Sequence, residues 1–281
     1  MLRRKALLIG LSLTLPISAP CHAQVRQAPV RALQVVPTAL VQSAADRADS
    51  LFYALEPVAS LDVAESRLEF EPDDFDARWR AARAALVLGT MAEGWTTRDT
   101  WFRIAVAHGE EARRLRPQHP EALSWLAAAQ GRRAIESRSS RENARLGGVV
   151  WDLTEELLAL DPDHPLGNDV RGKLHQEVMK LAGWQRTLGR LFLRANILGK
   201  ASWDASELHL KRAIEGDPTA VIAYLDLGET YLLQEKWELA REAFETGLAL
   251  PDTYPPDQVF KGQMRRMLER VQENGTPHGA S

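Results

Sequence analysis

The sequence predicts an all-α protein, a solenoid of helical hairpins finished by a C-terminal capping helix. Three observations carry this expectation. Ala, Leu, Arg and Glu dominate the 281 residues while Val, Ile and Thr are sparse, which favours helix over strand. A proline punctuation recurs along the chain, each time at the end of an amphipathic stretch. Small residues also recur at fixed distances from those prolines, where paired helices must approach closely.

The punctuation reads Glu71-Pro72-Asp73, Arg116-Pro117-Gln118, Asp161-Pro162-Asp163, Asp217-Pro218-Thr219 and Leu250-Pro251-Asp252. Proline donates no backbone hydrogen bond and pushes the preceding residue away from helical angles, so each site ends one helix and redirects the next. The prolines are spaced by 45, 45, 56 and 33 residues. The last interval is close to the period of about 34 residues that marks tetratricopeptide repeats. Residues 221–251 carry that repeat's signature, with Tyr224, Leu227, Gly228 and Tyr231 followed by Ala240 and Phe244. Gly228 and Ala240 are expected where two antiparallel helices touch, and the larger side chains fill the space around that contact. Gln234-Glu235-Lys236 forms the turn between them.

The longer intervals read as the same unit with insertions of about 11 and 22 residues beyond the repeat period. Trp79 and Trp125 follow their prolines at similar distances, Gly172 and Gly228 each fall ten residues after theirs, and Ala112 and Ala213 lie five before theirs. Residues 38–56 and 57–70 are expected to form a leading pair. Phe260, Met264, Met267, Leu268 and Val271 have helical spacing behind Pro255-Pro256, as a capping helix requires. The repeat domain is therefore placed at 38–272, with a flexible linker at 24–37 and a flexible tail at 273–281.

Residues 1–23 follow the plan of a signal peptide. Arg3, Arg4 and Lys5 precede the apolar run Ala6–Leu15, and Ala23 stands just before a cleavage point at Gln24. Export, to the periplasm, is expected. Lipidation of Cys21 fits poorly, because Pro20 and Ser18 depart from the residues such a site wants. Cleavage would remove the chain's one cysteine, together with three of its 35 basic residues and none of its 38 acidic ones, leaving a net charge of −6. That balance speaks against a general nucleic-acid partner.

A narrower resemblance rests on Leu160-Asp161-Pro162-Asp163-His164-Pro165, Leu181-Ala182-Gly183-Trp184-Gln185-Arg186, Leu191-Phe192 and Ala201-Ser202-Trp203. These runs are similar to the regulator of microtubule dynamics family and its bacterial homologues, over roughly residues 101–271. The resemblance implies a tetratricopeptide-type helical fold, a binding role and no catalytic residues. It does not carry microtubule binding with it, since an exported protein would not meet microtubules.

The residues offer no enzyme signature and call for no cofactor. No two of the seven histidines have H-E-x-x-H spacing, and no histidine has a glutamate three residues before it. Gly199-Lys200-Ala201-Ser202 lacks the earlier glycine of a phosphate loop, and adjacent acids such as Glu110-Glu111 point about 100° apart on a helix. Arg132, Arg133, Arg138, Arg141 and Arg145 crowd one inter-helix connection and are candidates for an acidic partner, with a solvated loop as the alternative. In residues 184–198, Trp184, Leu188, Leu191, Ala195 and Leu198 share one helical face and Arg186, Arg190 and Arg194 the other. This segment is expected to pack as an internal plug with its arginines toward solvent or the groove mouth. The expected function is that of an adaptor binding a protein or peptide, with a lipid or other apolar ligand as the alternative. N-terminal sequencing of protein from its native host should find Gln24 or a close neighbour first; retention of Met1 would refute the leader.

Overall fold

The computed structural model describes residues 38–181 and 199–275. The expected leader and linker lie outside the described residues, as do the stretch 184–198 and its three arginines. Eleven helices are described, with no strand among them: α1 Thr38–Tyr53, α2 Pro57–Phe70, α3 Phe75–Met91, α4 Trp95–Leu115, α5 Pro120–Glu136, α6 Ser140–Leu160, α7 Pro165–Lys180, α8 Trp203–Gly216, α9 Val221–Leu233, α10 Trp237–Ala249 and α11 Asp257–Gly275. The last helix takes up residues 273–275 of the segment expected to be a flexible tail.

The same turn is built four times at the proline sites. Glu71, Arg116, Asp161 and Asp217 each leave helical angles, with φ of −131°, −137°, −139° and −140°. Each still donates its amide to the carbonyl four residues back, and its own carbonyl accepts from the amide three residues on. The proline ring thus stops the helix without orphaning the groups around it. Ala112 and Ala213 supply two of those carbonyls, and both are fully buried. The next helix starts on a cap: Asp74 accepts from the Ala77 amide, His119 from Glu121 and His164 from Gly167. Pro120 and Pro165 sit in the first turns of α5 and α7, where no amide donor is required.

Consecutive helices pair as α1/α2, α3/α4, α5/α6, α7/α8 and α9/α10, with α11 packed on α9 and α10. The odd-numbered helices also touch one another in sequence, from α1 through α11, so they form the inner layer of the solenoid. The inner helices α3 and α5 have neighbours on several sides, which explains their many alanines: Ala81, Ala82, Ala84 and Ala85 in α3, and Ala122, Ala127 and Ala129 in α5, are all fully buried. The expected insertions in the two 45-residue units take the form of longer helices. There α3 and α5 have 17 residues and α4 and α6 have 21, against 13 each for α9 and α10.

Close approach within hairpins is made by glycine facing a large side chain. A Cβ on Gly228 would run into the ring of Phe244, and one on Gly89 would meet the ring of Phe102. Gly172 faces Leu210 in the same manner. Phe244 and Ala240 are fully buried, Tyr231 and Leu227 nearly so, and Tyr224 packs half-buried at the edge of this cluster. Glu235, in the α9–α10 turn, adopts a left-handed φ of 60°.

The α7/α8 pair buries a polar seam. His209 Nδ1 donates to Asn168 Oδ1 at 2.8 Å, and Asn168 in turn donates to the carbonyls of Pro162 and His164. The His209 ring stacks on His175 at 5.7 Å between centroids, and His175 meets Trp151 edge-on. Burial, aided by His209 and Arg171, lowers His175 to about 4. Burial with Arg171 and Arg212 lowers His209 to about 4 as well.

Two tests follow from this packing. Gly228→Leu should cost about 1 to 3 kcal/mol or more by overpacking and lower the melting temperature. Gly262→Ala is the contrasting variant, because a Cβ there meets only the tip of Arg266 at 3.8 Å; it should be neutral or slightly stabilising. The histidine seam sets a pH dependence. An unfolded histidine takes a proton near 6.5, well above the folded values, so the unfolded chain binds more protons between pH 6.5 and 4. The contribution of the seam is therefore fully present above pH 6.5 and is lost on acidification to pH 4, by up to about 3 kcal/mol per histidine, while Asp169, whose carboxyl is raised, works in the opposite direction. Chemical denaturation across that range, with the His175→Gln/His209→Gln variant showing a flatter response, checks the assignment.

Candidate functional site

The inner layer surrounds a groove of about 1200 Å³. Its wall comes from α1, α3, α5, α7, α9 and α11, joined by the first half of α6. The two ends of the repeat array meet across this space. Phe52 and Tyr53 at the end of α1 approach the Tyr254 ring, in the α10–α11 connection, at 6.4 and 6.0 Å. Tyr254 donates its hydroxyl to Asp217 at 3.0 Å, and burial together with Asp217 holds the phenol far above its ordinary range. Asp257 anchors the same connection by accepting from the amides of Thr253 and Tyr254.

Apolar side chains form most of the wall, including Leu86, Trp125, Val170, Leu174 and Ile222. Charge enters from α3, α5, α6 and α9 and along α7, whose inner face presents Asp169, Lys173 and Glu177 between Leu166, Val170 and Leu174. Helical spacing of three and four residues brings all of these to one face. Lys173 binds two carboxylates of α9, Asp226 at 2.9 Å and Glu229 at 2.5 Å. Burial alone would lower the lysine, but the two acids outweigh it and hold the ammonium above its usual range. Asp169 is different. It is 7% exposed and its Oδ1 makes no hydrogen bond. Burial, reinforced by the nearby Asp226, pushes its carboxyl up to about 8, against the opposing pull of Arg132 and Lys173.

At the α1 end, Arg83 is buried over the Phe52 ring at 3.9 Å and pairs with Asp49 at 2.6 Å. Burial works to raise the Asp49 carboxyl, but hydrogen bonds and charge from Arg80 and Arg83 hold it below its usual range.

The arginines of the α5–α6 connection divide between the groove and a neighbouring tryptophan. Arg132, Arg141 and Arg145 line the groove, Arg132 above Phe260 at 5.8 Å and Arg145 paired with Glu142 at 2.8 Å. Arg138 instead stacks on Trp95 at 4.1 Å, and Arg133 sits half-buried between them in sequence. Arg186, Arg190 and Arg194 lie outside the described residues. Sequence reasoning passed over Asp169, Lys173, Asp226 and Tyr254. The signal for the first two was available, since two charges stand within the apolar stripe of a helix. Tyr254 had none, because its contact joins residues about 200 positions apart.

Among the described residues there is no group of three or more histidine, cysteine, aspartate or glutamate side chains placed to hold a metal ion, and no helix long and apolar enough to cross a membrane.

Comparison with solved structures gives the fold. A thermophilic TPR protein of Thermus thermophilus superposes with a TM-score of 0.58 at 17% identity, over 81% of this chain and 98% of its own. YrrB, described as a TPR protein with an unusual peptide-binding site, aligns more loosely, with a TM-score of 0.40 at 14% identity over 82% of this chain and 97% of its own. A search of curated proteins finds no match. The family described as regulator of microtubule dynamics protein 1-3 matches residues 45–272, which takes in α2 to α10 whole, the second half of α1 and all of α11 except its C-terminal end. The chain therefore belongs to the regulator of microtubule dynamics protein 1-3 family.

Proposed function

We propose that this protein is an exported, non-catalytic adaptor whose inner groove holds a segment of a protein partner. The groove carries this reading. Its volume of about 1200 Å³ exceeds the roughly 300–1,000 Å³ typical of small-molecule sites. Its wall is continuous along six stacked helices, so a ligand lying in it meets several repeats at once. The alternation of apolar wall and fixed charge suits an amphipathic polypeptide, with side chains entering apolar pockets and polar groups setting register. The leader pattern of residues 1–23 supports export, which would place the partner in the periplasm rather than among microtubules.

A second reading is favoured by one feature, the aromatic contact of Phe52 and Tyr53 with Tyr254. That contact brings the ends of the array together around an apolar interior, as a carrier of a lipid or similar ligand would need.

Gly131 offers a clean way to block the groove. It lines the space from α5, and a Cβ there has only Val150 within reach at 4.0 Å. Gly131→Phe should therefore fold normally while filling the interior. Affinity capture from a periplasmic extract should yield a stoichiometric protein with the wild type and lose it with this variant. Native mass spectrometry showing a copurified apolar small molecule, displaced by Gly131→Phe, would instead establish the carrier. Capture unaffected by the variant would remove the groove as the binding surface.

A further inference from the structure

We propose that Asp169 is the receptor for a lysine or arginine side chain of the partner segment. The inference rests on the groove reading above and names the chemistry of one contact within it.

The argument begins with an imbalance. Every other buried acid of this region has a partner: Asp226 and Glu229 hold Lys173, Asp217 accepts from Tyr254, and Asp257 accepts two backbone amides. Asp169 forms no ion pair among the described residues, and its Oδ1 has no donor. Yet it is more than nine-tenths buried and lines the groove, with the apolar walls of Trp125, Val170 and Ile222 sharing that space. A buried carboxyl without a partner is costly, and an apolar side chain of similar size would pack here more cheaply.

The surrounding charges explain why nothing in the chain satisfies it. On α7, Lys173 is committed to the two α9 acids. On α9, Asp226 repels a second negative charge. On α5, Arg132 attracts Asp169 but lies over the Phe260 ring of α11. His164, which precedes α7, has its imidazole held below the ordinary range by burial, against the pull of Glu121 and Asp161. Burial and Asp226 accordingly push the Asp169 carboxyl up to about 8, so that a cation beside it would displace a proton.

The geometry selects the ligand. A metal ion would need several free oxygen donors, and no group of three or more such side chains is assembled among the described residues. Lysine and arginine combine a long apolar stem with a charged head, so the stem can lie along the apolar wall while the head reaches the carboxyl. On arrival of the cation, the Asp169 O–H gives its proton to solvent, and the carboxylate left behind pairs with the ammonium or guanidinium. Charge and protons balance: one cation enters and one proton leaves.

The experiment uses the exported form, residues 24–281, and its Asp169→Asn variant on an array of random octapeptides at pH 7. Asparagine keeps the size and removes the titration, and it should melt at the same temperature as the wild type or higher at pH 8. Peptides retained by the wild type should be enriched in lysine or arginine at one position, and the variant should lose that enrichment. A selected peptide should bind the variant at least tenfold more weakly. Calorimetry in buffers of different ionisation enthalpy should show roughly one proton released per peptide by the wild type and none by the variant. Peptides retained without a basic preference, or with one that Asp169→Asn leaves intact, would overturn this inference and leave the groove reading standing. No peptide retained by the wild type would overturn both.

Discussion

The arrangement depends on one backbone constraint, repeated at four turns. A residue before proline is driven from helical angles, and Glu71, Arg116, Asp161 and Asp217 all adopt nearly the same extended geometry. Because the turn is the same each time, each inner helix leaves it in a similar direction and meets the inner helix of the preceding hairpin. The odd-numbered helices then stack on one another, and the groove is the surface they share. Hairpin closure follows from a second, local condition. Glycine opposite Phe102, Leu210 or Phe244 lets two backbones approach within the reach of those side chains.

The interior is built differently from the hairpin contacts. Around Gly228 and Phe244 the packing is apolar and complete, and each buried group contributes to stability. Along α7 the same helical face alternates apolar residues with Asp169, Lys173 and Glu177. Lys173 recovers its desolvation through Asp226 and Glu229, whereas Asp169 recovers little of its own. A stability argument accounts for the first kind of residue and not for the second. Under the proposed function, such a local sacrifice inside an otherwise consistent fold belongs to the partner's site.

The histidines illustrate how the same residue type serves different ends. His119 and His164 cap helices immediately before Pro120 and Pro165, using a ring nitrogen where serine or aspartate would usually serve. His175 and His209 stack as neutral rings between α7 and α8. The hydrogen bond of His209 to Asn168 ties the proline turn at Pro162 to the outer helix α8. The long connection between α7 and α8, which includes the stretch 184–198, thus joins two helices that are already fixed to each other by buried polar contacts.

The sequence alone determined the helical class, the proline-to-proline units, the leading pair and the capping helix. These features are local: proline sterics, helical periodicity and the need for small residues at a crossing act within a few residues of chain. Tyr224, Leu227, Gly228, Tyr231, Ala240 and Phe244 were legible for that reason, since one hairpin contains the whole contact. The extra residues of the 45-residue units were legible as length, but their use as longer helices emerged only with the helix ends in place. The arginines of the α5–α6 connection were visible as a cluster, yet the fold sends Arg132 inward and Arg138 onto Trp95. Only the tertiary structure decided the groove, the meeting of Phe52 and Tyr53 with Tyr254, and the isolation of Asp169. Each of these depends on how rotations from successive hairpins accumulate, and no local pattern encodes which distant side chains that sum brings together.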